Sequence, residues 1–164
     1  MTLLPSMAAI FERDLRALAR EVESYPDERD LWAQVPGIPN VAGTLTLHLA
    51  GNLQYYIGAV LGGSGYVRDR PAEFARRDVA RPELLREIEA ARTAVARTLR
   101  LPIDVDGEFP EVIAGKRVRT GDYLVHLATH FAYHLGQLDY HRRIVTGHDK
   151  GIDAMRPIEL SSAR

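Results

Sequence analysis

Apolar residues recur at steps of three and four along the first part of the chain, which is the spacing of one face of an α-helix. The polar residues between them fall on the opposite face, so the segment is amphipathic and suited to packing on a core. The pattern predicts a first helix from Leu3 to Ser24, which ends before Pro26 because a residue preceding proline disfavours helical angles. Its predicted inner face contains Leu4, Met7, Phe11, Leu15, Leu18 and Val22.

The same periodicity predicts two further helices. The second runs from Val41 to Leu61, with Asn40 as its N-cap, and ends at a glycine-rich segment. The third begins at Pro82, whose missing N–H group is harmless in a first turn, and ends near Arg100. Their predicted inner faces are Leu45, Leu49, Leu53, Tyr56 and Val60, and then Leu84, Ile88, Ala91, Val95 and Leu99.

A fourth and longer helix is predicted from Thr120 to Gly147. Thr120 is suited to be its N-cap, and Asp122 lies in the first turn, where the helix dipole favours an anion. Gly147 supplies a left-handed stop after the last turn. The predicted inner face contains Leu124, Leu127, Phe131, Leu135 and Leu138.

Four amphipathic helices in a chain of this size predict an all-α fold, a four-helix bundle. We expect one domain over residues 1–164, with a loosely packed tail at 148–164. The two connections at 62–80 and 101–119 are long, so the bundle is not expected to be a simple up-and-down arrangement.

Both long connections are read as irregular chain. The first contains charged residues, among them Arg68-Asp69-Arg70, which we interpret as a solvated run. The second contains Ala114-Gly115-Lys116, where a short hairpin is predicted.

Composition and charge argue against two classes of function, namely binding to nucleic acid and binding to membranes. Of the 164 residues, 46% are hydrophobic and 26% are charged, which is typical of a globular protein. The formal net charge of -1 gives no electrostatic reason to expect binding to nucleic acid. No apolar run is long enough to span a bilayer, and charge at Glu12 comes too early for a signal peptide. We therefore expect no membrane association and a cytoplasmic location.

Histidines are concentrated on one stripe of the fourth predicted helix. At about 100° per residue, with His126 at zero, His130 falls near 40°, His134 near 80°, His141 near 60° and Gln137 near 20°. The stripe flanks the apolar face, so the imidazoles are expected at the edge of the core. Since the chain has no cysteine, a transition metal would have to be bound by histidine and carboxylate.

A pair of histidines four residues apart is suited to chelating a metal ion, because one helical turn brings both rings to one point. His126 and His134 are about 12 Å apart along the axis at a rise of about 1.5 Å per residue, so one ion uses two of the three histidines. Helix geometry alone leaves two candidate pairs, His126/His130 and His130/His134. His48 has a similar setting in the second helix, at the edge of its apolar face. The competing interpretation is that these are ordinary histidines at a helix interface.

Two segments resemble the DinB/YfiT-like superfamily. The segment NVAGTLTLHLAGNLQYYIGAVLGG, residues 40–63, is similar to the second helix of that family, which carries one histidine. The segment THFAYHLGQL, residues 129–138, resembles its last-helix motif, His-x3-His followed by x-Gly-Gln. The resemblance covers most of the chain and implies the same four-helix fold.

The resemblance implies a metal site. In that family the second-helix histidine and the two motif histidines bind a divalent ion, and by position these are His48, His130 and His134. Among the metals that imidazole suits, zinc or nickel is favoured. His126 and Tyr55 are the candidates for proton transfer. Asn52 and Gln137 are the candidates for orienting groups that contact a cofactor.

The resemblance does not identify a single reaction. Members include metal-dependent transferases that use low-molecular-weight thiols such as mycothiol, bacillithiol or glutathione, and others described as hydrolases. We therefore expect a metal-dependent enzyme acting on a small molecule, with a thiol transferase or related hydrolase first. The alternative is a non-catalytic metal-binding protein of a stress response. Family members are commonly dimers, so a homodimer is expected.

Overall fold

Five α-helices account for most of residues 3–160, the part of the chain that this computed structural model describes. Residues 1–2 and 161–164, including the end of the predicted tail, lie outside it. Two short 3₁₀-helices accompany them, and residues 3–160 contain isolated bridges but no β-strand. The helices are α1 (Leu3–Glu23), α2 (Ala42–Leu53), α3 (Arg70–Ala75), α4 (Arg81–Thr98) and α5 (Thr120–Thr146).

The four long helices pack as a bundle, which confirms the predicted all-α class. Helix α1 packs against α4 and α5, and α2 packs against the same two helices. Helices α1 and α2, which follow one another among the long helices, meet only marginally. The bundle is therefore not a simple up-and-down arrangement. The connections 24–41 and 101–119 join helices that are not close neighbours, whereas residues 62–80 join α2 to α4, which pack together.

The core consists mainly of the faces that the periodicity predicted, although Leu4, Tyr56 and Val60 are only partly buried. Its largest fully buried side chains include Phe11 from α1, Leu49 from α2, Leu84 from α4 and Phe131 from α5. Every residue of the predicted α5 face is buried. His48, His130 and His134 lie at the edge of this core.

The second half of the predicted second helix is not α-helical. Beyond Leu53 the chain continues as a π-helix, Gln54–Leu61, in which Gly62 N–H donates to Ile57 O at 3.0 Å, five residues back. A π turn holds more residues than an α turn, so side chains after Leu53 rotate away from their predicted α-helical positions. π segments of this kind occur frequently at functional sites.

Neither predicted N-cap is used. Helix α2 is preceded by Val41 and α5 by Arg119, and neither makes a side-chain capping bond. The free N–H groups of α5 are satisfied by the preceding connection instead: Thr120 N donates to Gly107 O at 2.9 Å, and Gly121 N to Val105 O at 2.8 Å. The predicted stop is correct, since Gly147 has a φ of 71° and its N–H donates to Arg143 O.

The two connections contain more structure than predicted. Residues 62–80 include α3, which Asp69 caps by accepting from Ala72 N at 2.9 Å. In the second connection the predicted hairpin is present, because Ile113 and Lys116 exchange both backbone hydrogen bonds at 2.8 Å. The described part of the tail contacts α1 and α5, for example through the bond from Arg142 to Lys150 O at 3.0 Å.

No helix of the described residues has the length and apolar character that crossing a bilayer requires.

His141, predicted on the histidine stripe, is instead a fully buried structural residue. Its Nε2–H donates to Ala33 O at 2.9 Å, and its Nδ1 accepts from the Tyr25 hydroxyl at 2.9 Å. The ring thus ties α5 to the connection between α1 and α2. Burial lowers the pKa of His141, although the bond to Ala33 opposes the shift.

Acidification is expected to weaken the fold through His141. Its pKa in the folded state lies below its ordinary value of 6.5, so the unfolded chain takes up a proton first as the pH falls. Stability from this residue is present above pH 6.5 and declines below it, by up to about 1.4 kcal/mol per pH unit. Urea unfolding of the metal-free protein between pH 7.5 and about 5 measures this loss.

Variants isolate the contribution of this residue. In His141→Gln the free energy of unfolding should be lower at pH 7.5, and the gap to the wild type should narrow as the pH falls. His148→Gln, at an exposed position beyond α5, should keep the wild-type pH dependence. An unchanged gap between His141→Gln and the wild type across the range would contradict the assignment.

Candidate metal centre

Three histidines from two helices bring ring nitrogens to one point. His48 lies in α2, while His130 and His134 lie one turn apart on α5. His48 Nε2 lies 3.4 Å from His130 Nε2, and one nitrogen of each ring lies within 4.8 Å of the others. This span is close to what one ion bridges with metal–nitrogen bonds of about 2.0–2.1 Å. The group could therefore hold a metal ion.

The orientation of two of the rings is set by hydrogen bonds. His48 Nδ1 lies 3.0 Å from Glu73 Oε2, and His134 Nδ1 lies 2.7 Å from Gln137 Oε1. Carboxylate and amide oxygens only accept, so both Nδ1 atoms carry the proton and both Nε2 atoms keep a lone pair. Both lone pairs belong to the nitrogens available to the metal, which is the arrangement that histidine ligands have in metal sites.

Glu73 is held in place by Arg68, an arginine that the charge pattern predicts to be solvated. Arg68 Nε lies 2.7 Å from Glu73 Oε1, and its Nη2 lies 2.8 Å from Oε2. The Arg68 side chain is only 9% exposed, so the solvated interpretation of this charge run is wrong for Arg68. A buried charge is retained where it is paired, and here the pairing positions His48.

The role of Glu73 was missed because α3 was missed. A signal was present: Asp69 followed by Pro71 is the combination of N-cap and first-turn proline that starts a helix. A helix at that position places Glu73 in its first turn. Only packing of α3 against α2 brings that carboxylate to His48.

Gly51 makes room for the carboxylate. A Cβ atom at this position would lie 2.3 Å from Glu73 Oε1, far inside van der Waals contact. Helix interiors disfavour glycine, so its presence in α2, one turn after His48, has a steric reason. The absence of a side chain allows Glu73 to approach the helix closely enough to reach the histidine.

The histidines border a cavity of about 420 Å³ between α2, α5 and the connection that carries α3. This size is within the range of small-molecule sites, about 300–1,000 Å³. The wall combines polar and aromatic side chains. It is lined by Asn40, Leu45, His48, Asn52, Tyr56, Arg68, Arg70, Phe74, Tyr123, His126, Leu127, His130 and His134.

Of the other four predicted site residues, two line the cavity and two do not. Asn52 lines the cavity, and its buried Oδ1 has no hydrogen-bond partner. His126 lines the cavity from an exposed position and stacks at 6.1 Å on His130. Gln137 lies behind His134. Tyr55 donates to Glu111 Oε1 at 2.6 Å and is not among the lining residues, whereas Tyr56 is.

The π segment accounts for the exchange of the two tyrosines. With α-helical spacing, Tyr55 falls about 20° from His48 on the helix surface and Tyr56 about 80°. The wider π turns reduce the rotation per residue, which brings Tyr56 toward the line of His48 and Asn52 and carries Tyr55 away from it.

Burial favours the neutral form of the two α5 histidines of the convergent group. Burial, assisted by the neighbouring histidines, lowers the pKa of His130 to about 4. Burial also lowers the pKa of His134, against the bond to Gln137. Burial raises the pKa of Glu73, but hydrogen bonds from Arg68 and His48 outweigh that effect and hold it below its usual range. At pH 7 His130 is therefore neutral and Glu73 is ionised.

Comparison with known proteins identifies the family of this chain. Residues 6–147 match the family model described as mycothiol-S-transferase. Comparisons with curated proteins and with solved structures found no match. Because the family match covers most of the chain, this protein belongs to the mycothiol S-transferase family, a DinB/YfiT-like family, as its histidine motifs had indicated.

Proposed function

We propose that this protein is a metal-dependent S-transferase that joins a low-molecular-weight thiol to a small electrophile. His48, His130 and His134 are the metal ligands. The observation that carries the proposal is the convergence of their ring nitrogens at the wall of a cavity in a chain of the mycothiol S-transferase family. Three protein ligands beside an open cavity are typical of catalytic sites rather than structural ones.

The reaction is a nucleophilic substitution at carbon. The thiol sulfur forms a bond to the electrophilic carbon, the bond from that carbon to the leaving group breaks with its electron pair, and the thiol proton is released. A divalent ion, when bound, supplies Lewis acidity that favours the thiolate at neutral pH. Zinc or nickel is the proposed metal, since neutral imidazoles suit both.

His126 is the proposed acceptor of the thiol proton. It lines the cavity one helical turn from His130 and is open to solvent, so a proton taken from the thiol can leave to water. Tyr55, the other candidate, is less suited. Its hydrogen bond to Glu111 raises its pKa, which disfavours the phenolate that a base would need.

Asn52 is proposed to contact the thiol cofactor. Its buried Oδ1 lacks a partner in the protein and it lines the cavity, so a donor on the ligand would satisfy an otherwise costly acceptor. Gln137 contributes indirectly, by holding the His134 ring. Both assignments develop the prediction that these two residues serve the cofactor.

A metal analysis followed by a conjugation assay tests the proposal. Protein purified without an affinity tag should contain about one divalent ion per chain and should conjugate mycothiol to a chromogenic aryl halide, with His134→Ala inactive. Bacillithiol and glutathione serve as comparison thiols. A metal-loaded protein that conjugates none of the three would overturn the transferase proposal and favour the non-catalytic alternative.

Glu73→Gln should weaken metal binding. The substitution removes the carboxylate charge that orients His48 and raises its basicity, and losing such a partner costs about 10–100-fold in affinity. Competition with a chromophoric chelator measures the dissociation constant. Glu89→Gln, on the exposed face of α4, is the matched control and should bind metal as the wild type does. Equal affinities for the two variants would refute this role of Glu73.

Gly51→Ala should have a similar effect without changing any polar group. The added methyl group would collide with Glu73 Oε1 and push the carboxylate away from His48, so the metal affinity should fall by about 10-fold or more. Gly136→Ala is the control, because a Cβ atom there meets nothing within 4 Å. The same chelator titration is used.

A further inference from the structure

A second depression lies beside the metal centre, between residues 37–40 and the outer face of α5. It has a volume of about 440 Å³. Its walls are largely apolar and include Ile38, Tyr133 and Tyr140. We call it the tyrosine groove. Tyr133 and Tyr140 are 65% and 63% exposed, an unusual amount of aromatic surface for two side chains on one helix face.

The tyrosine groove adjoins the metal cavity. Asn40 lines both. Gln137 lines the groove and bonds the His134 ring, and the Tyr133 ring packs edge-on against His134 with ring centroids 5.2 Å apart. A molecule in the groove therefore lies next to a proposed metal ligand.

The floor of the groove is open because of a glycine. Gly136 lies between the two tyrosines on α5, and a Cβ atom there would meet nothing within 4 Å. Glycine is unfavourable inside a helix, and here no neighbour needs the space. The two tyrosine rings and the bare backbone between them form a surface suited to a flat ring. Arg143 stacks on Tyr140 at 5.3 Å from its centroid and steadies that wall.

The two depressions differ in chemistry. The metal cavity contains Arg68, Asn52 and the histidines, which suits a polar cofactor. The tyrosine groove offers aromatic and aliphatic surface with two amide side chains. A transferase must hold two different substrates side by side, and these two depressions share Asn40 as a lining residue.

We propose that the tyrosine groove binds the aromatic, apolar part of the electrophilic substrate. The inference rests on the proposed S-transferase function for the reaction, but the binding itself does not require turnover. Aromatic electrophiles are favoured over small aliphatic ones, because a flat ring can pack against the tyrosine side chains over Gly136.

Binding of a non-reactive aromatic probe tests the groove independently of catalysis. The metal-loaded protein is titrated with 2-naphthol and followed by fluorescence. Gly136→Leu fills the floor and should weaken binding by at least about tenfold. Tyr140→Ala removes one wall and should weaken it about fivefold to tenfold. Val125→Leu, which adds bulk at an exposed position of α5 that lines neither depression, should bind as the wild type does.

Kinetics then separate this inference from the proposed function. With mycothiol as the thiol, Gly136→Leu should raise the KM for benzyl bromide and leave the KM for allyl bromide and for mycothiol unchanged. Suppose that the wild type conjugates neither bromide while Gly136→Leu and Tyr140→Ala bind 2-naphthol more weakly than it does. That result would support the groove as a binding site for aromatic rings and overturn the transferase proposal. If both bromides are conjugated and the variants bind 2-naphthol normally, the groove assignment fails and the transferase proposal stands.

A second copy of the chain is the competing occupant. Light scattering at micromolar concentration gives the mass of the wild type and of Gly136→Leu. A change from twice the chain mass of 18.3 kDa to the chain mass itself would make the groove a subunit interface and overturn the substrate assignment. An unchanged mass together with lost 2-naphthol binding supports it. Should Gly136→Leu fail to fold, Tyr140→Ala carries the same comparison.

Discussion

Replacing His130 with alanine is expected to abolish tight metal binding and, with it, transferase activity. In the proposed site His130 and His134 form the helical chelate, and His130 Nε2 lies 3.4 Å from His48 Nε2. Without it, two ligands remain on separate helices. The loss should exceed the roughly 10–100-fold that removal of a supporting partner costs. Metal content after gel filtration and a chelator titration measure it.

His126→Ala is the matched variant on the same face of α5. It should keep the metal, because His126 lies outside the convergent group, but lower the rate of conjugation by about 10²–10⁴-fold if it accepts the thiol proton. Loss of metal in His126→Ala with retention in His134→Ala would identify His126/His130 as the chelate. That result would overturn the proposed ligand set.

The second large effect concerns the core that carries the site. Phe131→Ala should lower the free energy of unfolding by about 3–5 kcal/mol, because Phe131 is fully buried in the core and the smaller side chain leaves a cavity. Urea unfolding of the metal-free protein measures the change. Val125→Ala on the exposed side of α5 should change stability by no more than about 0.5 kcal/mol. A loss well under 1 kcal/mol for Phe131→Ala, on the scale of surface substitutions, would contradict the packing described here.

Both effects were foreseeable from periodicity. The spacing of apolar residues follows directly from 3.6 residues per turn, so the core positions of Phe131 and its partners could be predicted without coordinates. The stripe of histidines follows from the same number. Family motifs then singled out His48, His130 and His134, and the structure brings these side chains together.

Helix boundaries and caps were less predictable. Asn40 and Thr120 have the side chains of N-caps, but the N–H groups at the start of α5 are satisfied by carbonyls at Gly107 and Val105. A cap depends on what else reaches the helix end, and distant chain segments decide that. The same holds for His141, whose partners Tyr25 and Ala33 both come from the connection between α1 and α2.

The side chains that surround and orient the three histidines are brought there by tertiary contacts. Glu73 reaches His48 only because α3 packs on α2 at Gly51, and Arg68 is buried only because Glu73 is there to pair with it. Likewise Tyr56, rather than Tyr55, faces the cavity because the backbone widens into a π-helix. By itself the sequence determined the four long helices, most of their inner faces and the three histidines, since these depend on local periodicity and on motifs. Which charged and polar groups surround those histidines was decided by contacts between segments far apart in the chain, which no local pattern encodes.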